Sequence, residues 1–226
     1  MRRLIYIPII HTNADMGSLA SALEQTTAAR YGKRRWERHK VIAAEFWQIV
    51  SDYLERLDAK NLKIYQDGFI SNNGLGKKII EEGMKKGSKN YEIILNLLNR
   101  GAEVISTEDL TLLEEEYGHL RRILDAKTPA QRKLAEKEYE RRKAQLAVAR
   151  DRFIARTINE TLGDGEVGLL FLGAYHDVIP QLATDIVVEL LKEPEKVKTY
   201  FNELISGGDE RNLERLTSYL TSPVGA

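Results

Sequence analysis

The sequence predicts an α/β fold: a mostly parallel central sheet of four to five strands, flanked by helices and carrying a long helical hairpin as an insertion. Three observations predict it. Short apolar runs typical of buried strands recur along the chain. Segments with apolar residues at helical spacing lie between them. Two of these helical segments are consecutive and highly charged, and a helix-restart signal separates them.

Four apolar runs predict the strands, and a fifth run is a weaker candidate. The first, LIYIPII, is rich in isoleucine and stops at a polar segment, which is typical of a strand buried on both faces. Because parallel strands need helical crossovers, the intervening helices favour parallel pairing. The predicted strands span residues 4–10, 62–66, 103–106 and 169–172, with 185–190 as the fifth.

Helices are predicted wherever apolar residues recur every three or four positions. The first is long and amphipathic, and it carries both tryptophans, Trp36 and Trp47, on its apolar face. Gly207 and Gly208 separate the last helix from the one before it. The predicted helices span residues 33–57, 76–86 and 89–99, a segment that begins at Pro194, and a C-terminal helix and tail at 209–226.

The hairpin is predicted over residues 108–162, within a single domain that spans 1–226. Thr107 is expected to cap a helix that runs to residue 126. Thr128-Pro129-Ala130-Gln131 then combines a capping threonine, a proline at the first helical position and a capping-box glutamine. The second helix could continue to Leu162, and its first half is almost wholly charged. The hairpin should project from the body, where it is a plausible contact between copies of the chain.

Composition excludes several classes of function. The 226 residues include 34 basic and 34 acidic ones, so no charge excess points to nucleic acid as a partner. No apolar run is long enough to span a bilayer, and the one at residues 4–10 is too short for a signal peptide. The absence of cysteine excludes thiolate chemistry and fits a reducing compartment, so we expect a cytoplasmic protein.

Acidic and histidine residues follow the predicted strands. His11 and His176 come after the first and fourth strands, Asp67 after the second, and Glu108 after the third. Because ligands of open parallel sheets bind at the carboxyl ends of the strands, these side chains are expected to meet there. Imidazole and carboxylate together can bind a divalent metal ion or transfer protons.

Three acidic residues near these strand ends also have a purely structural interpretation. Glu108 could complement the dipole of the helix that follows it, Asp67 could belong to an Asp-Gly turn, and Asp177 could cap a helical turn. The other two histidines are placed elsewhere. His39 belongs to a core-facing row, and His119 lies in a charged helical stretch exposed to solvent.

Arg150 interrupts an apolar row on the long helix of the hairpin. If that row is buried, the guanidinium needs an anion, either a carboxylate or a substrate group. Alternatively, its side chain could extend along the edge of the core to water. The row comprises Leu146, Arg150, Ile154, Ile158 and Leu162.

These residues resemble the TraB/Tiki superfamily and its ChaN-like and erythromycin-esterase-like relatives. Gly173-Ala174-Tyr175-His176 matches the second of the two G-x-x-H motifs of that superfamily. Pro8-Ile9-Ile10-His11 resembles the first, with proline in place of glycine. Asp67 stands where the superfamily usually has glutamate, and Arg150 lies on a helix similar to its arginine-bearing helix.

The resemblance implies a metal-dependent, peptidase-like hydrolase that acts on a peptide or another small molecule. It implies that His11, His176 and Asp67 hold a divalent ion such as Mn, Co or Zn, and that Arg150 stabilises an oxyanion or grips a substrate carboxylate. Together with Asp67 and Arg150, Glu108 completes the candidate catalytic set.

Two alternatives remain open. The first is a non-enzymatic binding or regulatory protein that uses the hairpin. The second is a phosphate- or nucleotide-binding protein that uses the loop at residues 71–78 and its Lys77.

Overall fold

Five parallel strands form one sheet in the computed structural model, which describes residues 1–12, 33–70, 75–206 and 208–224. The order across the sheet is β3-β2-β4-β1-β5, and every neighbouring pair is parallel. The predicted α/β class and parallel sheet are thereby confirmed. The strands are β1 (Arg2–Ile9), β2 (Leu62–Gln66), β3 (Glu103–Ile105), β4 (Val167–Gly173) and β5 (Ile186–Leu190).

The central strands are apolar throughout because both faces of the sheet are covered. In β1, Ile5 and Ile7 point to one face, while Leu4 and Tyr6 point to the other. Gly168 in β4 allows this packing, since a Cβ there would lie 2.6 Å from a methyl carbon of Leu4.

Seven helices accompany the sheet within the described residues. They are α1 (Lys33–Leu54), α2 (Leu75–Lys85), α3 (Lys89–Asn99), α4 (Leu110–Leu124), α5 (Pro129–Thr161), α6 (Pro194–Ser206) and α7 (Glu210–Leu220).

The two faces of the sheet are covered differently. Helices α1, α2, α3, α6 and α7 contribute apolar side chains to the core on one face, including Phe46 and Trp47 from α1. On the other face the buried helical side chains come from the last part of α5, namely Ile154, Ala155 and Ile158. The second half of α5 therefore packs on the sheet directly opposite the larger helical layer.

The hairpin is formed by α4 and the first half of α5. None of the described side chains of α4 is buried, and in α5 burial begins at Leu146. The two helices are antiparallel, since Arg142 forms an ion pair with Glu115 and Tyr139 donates a hydrogen bond to Glu116. Polar pairs of this kind, rather than an apolar core, join the outer parts of the two helices.

The restart signal before α5 is confirmed. The side chain of Thr128 accepts a hydrogen bond from the backbone N–H of Gln131, and Pro129 occupies the first helical position.

The predicted cap of α4 is wrong, because Asp109 takes that place by accepting from the backbone N–H groups of Thr111 and Leu112. The hydroxyl of Thr107 donates instead to the carbonyl oxygen of Gln66.

No helix in the part of the chain that the structure describes is long and apolar enough to cross a membrane.

Candidate active site

Three adjacent strands end at the same edge of the sheet and bring polar residues together there. Strands β2, β4 and β1 are neighbours, and the last residue of β1, Ile9, lies beside Gly173 at the end of β4. His11 follows β1, Asp67 follows β2, and His176 follows β4. The three strand-end residues selected from the sequence therefore lie at one edge.

Asp67 is held by two cations. One carboxylate oxygen lies 3.2 Å from Nη2 of Arg150, and the other lies 3.5 Å from Nε2 of His176. The backbone N–H of Gly173 also donates to the second oxygen, at 3.3 Å. Burial raises the pKa of Asp67, but the hydrogen bond with His176 and the charges of His176 and Arg150 outweigh it, so the pKa lies below its usual value.

His176 lies between two carboxylates. Its Nδ1 is 2.5 Å from Asp151, and its Nε2 faces Asp67. Burial lowers the pKa of His176, but hydrogen bonds to both carboxylates and their charges outweigh burial and raise the pKa to about 9. At neutral pH the ring is therefore an imidazolium that donates from both nitrogens.

Arg150 forms four hydrogen bonds to three carboxylates. Its Nε and Nη2 contact the two oxygens of Glu108 at 3.2 and 2.6 Å, Nη2 also contacts Asp67, and Nη1 contacts Glu116 at 3.0 Å. The apolar row on α5 is buried around it. Of the two interpretations of this arginine, the structure shows the one in which its guanidinium is paired with anions.

Glu108 connects this network to the turn after β2. Its side chain is 1% exposed, and Oε1, which accepts from Nη2 of Arg150, also accepts from the backbone N–H of Gly68 at 3.0 Å. Since Asp109 caps α4, Glu108 is free to face Arg150 rather than the end of the helix.

His11 has an exposed side chain, but its backbone is fixed. The carbonyl oxygen of His11 lies 3.3 Å from Nε2 of His39, and the indole N–H of Trp47 donates to the carbonyl oxygen of Ile10 at 2.9 Å. His39 is buried, as the core-facing row predicts, and its Nδ1 lies 3.0 Å from the hydroxyl of Tyr200. Two side chains of α1 thus hold the segment that presents His11.

A cavity of about 220 Å³ opens beside Asp67. It separates the exposed side chain of His11 from the first turn of α3. We call it the edge cavity, and it is lined by Ile9, His11, Gln66, Asp67, Gly68, Asn90 and Tyr91.

Sequence reasoning missed three residues of the site. Asp151 and Glu116 complete the ion pairs, and the hydroxyl of the buried Tyr6 donates to the carbonyl oxygen of Gly173 at 3.4 Å. Burial raises the pKa of Tyr6, and the charges of Asp67 and Asp151 add to this effect. Asp151 had a detectable signal, since it precedes Ile154, Ala155 and Ile158 at helical spacing and so shares their buried face.

Six charged side chains form what we call the edge cluster. Four are carboxylates and two are cations, so the edge cluster has a net negative charge even when His176 is protonated. Its members are Asp67, Glu108, Glu116, Arg150, Asp151 and His176.

In the edge cluster as arranged, the donor atoms that a divalent metal ion would need face other protein groups. Both oxygens of Asp67 accept hydrogen bonds from a cation or the backbone, and both nitrogens of His176 face carboxylates. A metal ion would have to replace these contacts and the ring proton of His176. Among the described residues, no group of three or more histidine, aspartate and glutamate side chains is positioned to hold an ion.

The remaining candidates lie away from the edge cluster or outside the described residues. Residues 71–74 of the proposed phosphate loop lie outside the described part of the chain, and Lys77 is exposed, 4.0 Å from Glu81. Asp177 is exposed, and the turn that follows begins after Val178 without a capping hydrogen bond from a side chain. His119 lies against the ring of Tyr139 in the hairpin.

Comparison with known proteins identifies no relative: no protein-family model matches the sequence, and no curated protein or solved structure matches it significantly.

Proposed function

We propose that this chain is a hydrolase with its active site at the carboxyl edge of the sheet, acting on an ester or amide bond of a peptide-like substrate. The observation that carries the proposal is a protonated histidine, His176, held between Asp151 and Asp67, together with a cavity that Asp67 and a second histidine, His11, both line. A proton donor and a proton acceptor at one site are what hydrolysis of a carbonyl compound needs.

The two histidines divide the proton transfers between them. The imidazole of His11 accepts a proton from a water molecule, whose oxygen then attacks the carbonyl carbon of the substrate. His176 gives its Nε2 proton to the leaving oxygen or nitrogen as the carbon–leaving-group bond breaks. Proton transfer from water to His11 and from His176 to the leaving group leaves the total charge unchanged. Loss of the proton from His11 to solvent and uptake of one by His176 complete the cycle.

Arg150 acts through Asp67 in this mechanism. Four hydrogen bonds to carboxylates already occupy the guanidinium, so it is a positioning residue rather than a group that grips the substrate. Its role is to keep Asp67 anionic and correctly oriented beside His176. Glu108 and Glu116 in turn fix the guanidinium.

The order of these residues along the chain supports the resemblance to the TraB/Tiki superfamily, which stays a proposal. A strand-end histidine, a strand-end acid, a helical arginine and a second strand-end histidine follow one another in the expected order. The metal dependence implied by that resemblance is a separate question, because the donors are engaged with protons in the present arrangement.

The test is hydrolysis of chromogenic esters and amino-acid amides by the purified chain and by variants. His11→Gln and His176→Gln should each lower kcat/KM at least 100-fold, since each removes one proton-transfer group. His119→Gln, the same change in the hairpin, should leave the rate unaltered. Activity should also fall as the pH rises through about 9, where His176 loses its proton. Equal rates for wild type and His176→Gln would refute the proposal.

A second proposal concerns the partner of the hairpin: a second copy of this chain. On α4, Leu110, Leu113, Tyr117, Leu120 and Leu124 recur at alternating steps of three and four, the spacing of a coiled-coil seam. Tyr117 is 65% and Leu124 is 69% exposed, so the seam lacks a cover in the described part of the chain.

Charge complementarity favours self-association. Glu114 and Arg121 flank the seam one heptad apart. If two copies of α4 pair antiparallel about a two-fold axis, each Glu114 faces Arg121 of the second copy. Arg121 is available for this because its contact in its own chain, with Asp125 at 3.2 Å, is exposed.

A charge swap tests the pairing. In sedimentation equilibrium, Glu114→Arg alone and Arg121→Glu alone should each weaken the dimer at least tenfold, because each sets like charges opposite one another. The double variant should restore it. A monomeric wild type at high micromolar concentration would refute the proposal.

We further propose a cytoplasmic location, which the absence of cysteine supports.

A further inference from the structure

One side of α5 carries basic residues that lack ion-pair partners. They lie within an arc of about 140° around the helix axis and extend over roughly 35 Å of its length. All are exposed, and none forms an ion pair within the part of the chain that the structure describes. We call this set the basic stripe, and its members are Lys133, Lys137, Arg141, Arg152 and Arg156.

The other basic residues on the outer half of α5 have partners. Arg132 and Lys143 pair with glutamates of α5 itself, and Arg142 pairs with a glutamate of α4. The overall balance of 34 basic and 34 acidic residues therefore conceals a local excess of positive charge on one side of this helix.

Two acidic residues at the margins of the same arc do not neutralise the basic stripe, because each is engaged elsewhere. The carboxylate of Glu138 lies 3.8 Å from Nη1 of Arg122 in α4. Asp151 is buried, and its carboxylate lies 2.5 Å from Nδ1 of His176. The positive charge of the basic stripe is thus left uncompensated by its own helix.

The spacing within the basic stripe is unfavourable for the helix alone. Lys137 lies four positions from both Lys133 and Arg141, and Arg152 lies four positions from Arg156. Like charges at this spacing face one another and destabilise a helix, whereas a glutamate at one of the positions would stabilise it. Folding therefore does not explain the arrangement, which favours an anionic ligand instead.

An anionic membrane is a poor match for this surface. Binding in the plane of a membrane needs a continuous apolar face that enters the lipid. The exposed large apolar residues of α5 on this side are Leu134 and Val148, which are separated by roughly 20 Å along the axis. The isolated positions of these two side chains leave the surface essentially electrostatic.

A single strand of nucleic acid matches the shape of the basic stripe better. Charged residues four positions apart rise about 6 Å along a straight rod. A single strand carries a phosphate at every nucleotide and can follow such a rod, whereas the backbone of a duplex winds away from it. Three of the five basic residues are arginines, whose guanidinium groups bind phosphate through two parallel hydrogen bonds.

We infer that the basic stripe binds a single strand of nucleic acid through its phosphates, without preference for sequence. The inference goes beyond the proposed hydrolysis and does not depend on it, since no member of the basic stripe belongs to the edge cluster.

Fluorescence anisotropy of a labelled oligothymidylate tests the inference on the full chain. The dissociation constant should lie between about 1 and 100 μM at physiological salt. The logarithm of the affinity should fall against the logarithm of the salt concentration with a slope of about −3.5, because each of five phosphate contacts contributes about −0.7.

Charge reversals locate the binding surface. Lys137→Glu should weaken binding at least threefold, and adding Arg152→Glu should weaken it at least tenfold with a shallower salt dependence. Lys143→Glu makes the same change on another side of α5 and should leave the affinity within about twofold of wild type. Each reversal in the basic stripe places opposite charges four positions apart, so the melting temperature should not fall.

Three results would overturn the inference: no binding of the oligothymidylate at low salt, an equal loss of affinity in Lys143→Glu and Lys137→Glu, or tighter binding of a different anion. The anions to compare are a DNA duplex, polyglutamate and phosphatidylglycerol vesicles. Binding of the oligothymidylate by a chain without hydrolase activity would support the inference and refute the proposed hydrolysis alone.

Discussion

Asp67 contacts both cations of the edge cluster. One of its oxygens faces Arg150 and the other faces His176, so each cation stabilises the charge that holds the other. Buried ion pairs of this kind add little net stability when complete, but they are costly to break, because the remaining partner is left uncompensated.

Replacing Arg150 should show this cost directly. Arg150→Lys keeps the charge but loses the planar fork, so we expect unfolding by urea to require about 1–3 kcal/mol less free energy than in wild type. Activity should fall through a lower kcat, since Asp67 loses its fixed orientation. Arg142→Lys removes a similar fork from an exposed pair in the hairpin and should change little. Equal effects of the two substitutions would contradict the positioning role of Arg150.

Metal binding at His176 should be weak at neutral pH. A divalent ion must displace the ring proton, and the raised pKa of His176, about 9, makes that displacement unfavourable. We expect Mn, Co or Zn at pH 7 to leave the melting temperature of the wild type unchanged. If these ions stabilise the wild type and His119→Gln but not His176→Gln, then His176 binds a metal ion, as the family resemblance implies.

The sequence predicted which residues follow the strands, but it did not predict which of their side chains are in contact. His11, Asp67 and His176 could be selected because the end of a parallel strand is recognisable from its apolar run. Glu116 could not be selected. It is one of three consecutive glutamates in α4, and only the packing of α4 against α5 brings it to Arg150. The cap at Asp109 was missed because Thr107, two residues earlier, offers a similar side chain.

At the scale of elements, the two halves of α5 lie in different environments. From Pro129 to Gln145 it has no buried residue and contacts α4 through polar pairs. From Leu146 onward it packs on the sheet. The charged composition of the first half predicted that the hairpin projects from the body, because a helix that is polar on all sides has no apolar face to bury.

Two leucines of α5 provide a matched comparison. Leu146 is 1% exposed and Leu134 is 60% exposed. Leu146→Ala should lower the free energy of unfolding by about 2–4 kcal/mol, because it removes buried methyl groups and leaves a cavity. Leu134→Ala should change it by less than about 0.5 kcal/mol. Denaturation at low protein concentration measures both, and similar losses would show that the outer half of α5 is packed.

At the scale of the whole molecule, the alternation of strands and helices predicted the class of fold but not the strand order. The three inner strands, β1, β2 and β4, are mostly buried on both faces, so nothing in their composition distinguishes the central strand from its two neighbours. The order β3-β2-β4-β1-β5 places β4 between β1 and β2, although the hairpin separates β4 from both strands in sequence. This strand order brings residues far apart in the chain together at the edge cluster.

Two histidines, His39 and His176, should limit stability on opposite sides of neutral pH. Burial lowers the pKa of His39 to about 4, although its hydrogen bond to His11 opposes this. The unfolded chain binds that proton near pH 6.5, so stability is lost as the pH falls from about 6.5 to 4. The raised pKa of His176 acts in the opposite direction: its contribution is complete below about 6.5 and is lost as the pH rises through about 9.

Each effect amounts to about 3 kcal/mol at most. Urea denaturation between pH 4 and 10 should show a maximum of stability near pH 6.5. His39→Gln should flatten the acid side alone, and His176→Gln the alkaline side alone, so each variant serves as the control of the other. A His176→Gln profile parallel to that of the wild type above pH 7 would contradict the raised pKa.

The length of α5 has a mechanical consequence. Its 33 residues form a rod of roughly 50 Å, whose outer end stands clear of the body and whose inner part carries Arg150 and Asp151 side by side. Because these two residues share one rigid backbone, any tilt imposed at the tip by a docked molecule moves the guanidinium and the partner of His176 together. A molecule bound at the tip of the hairpin would therefore shift Arg150 and Asp151 together relative to the sheet.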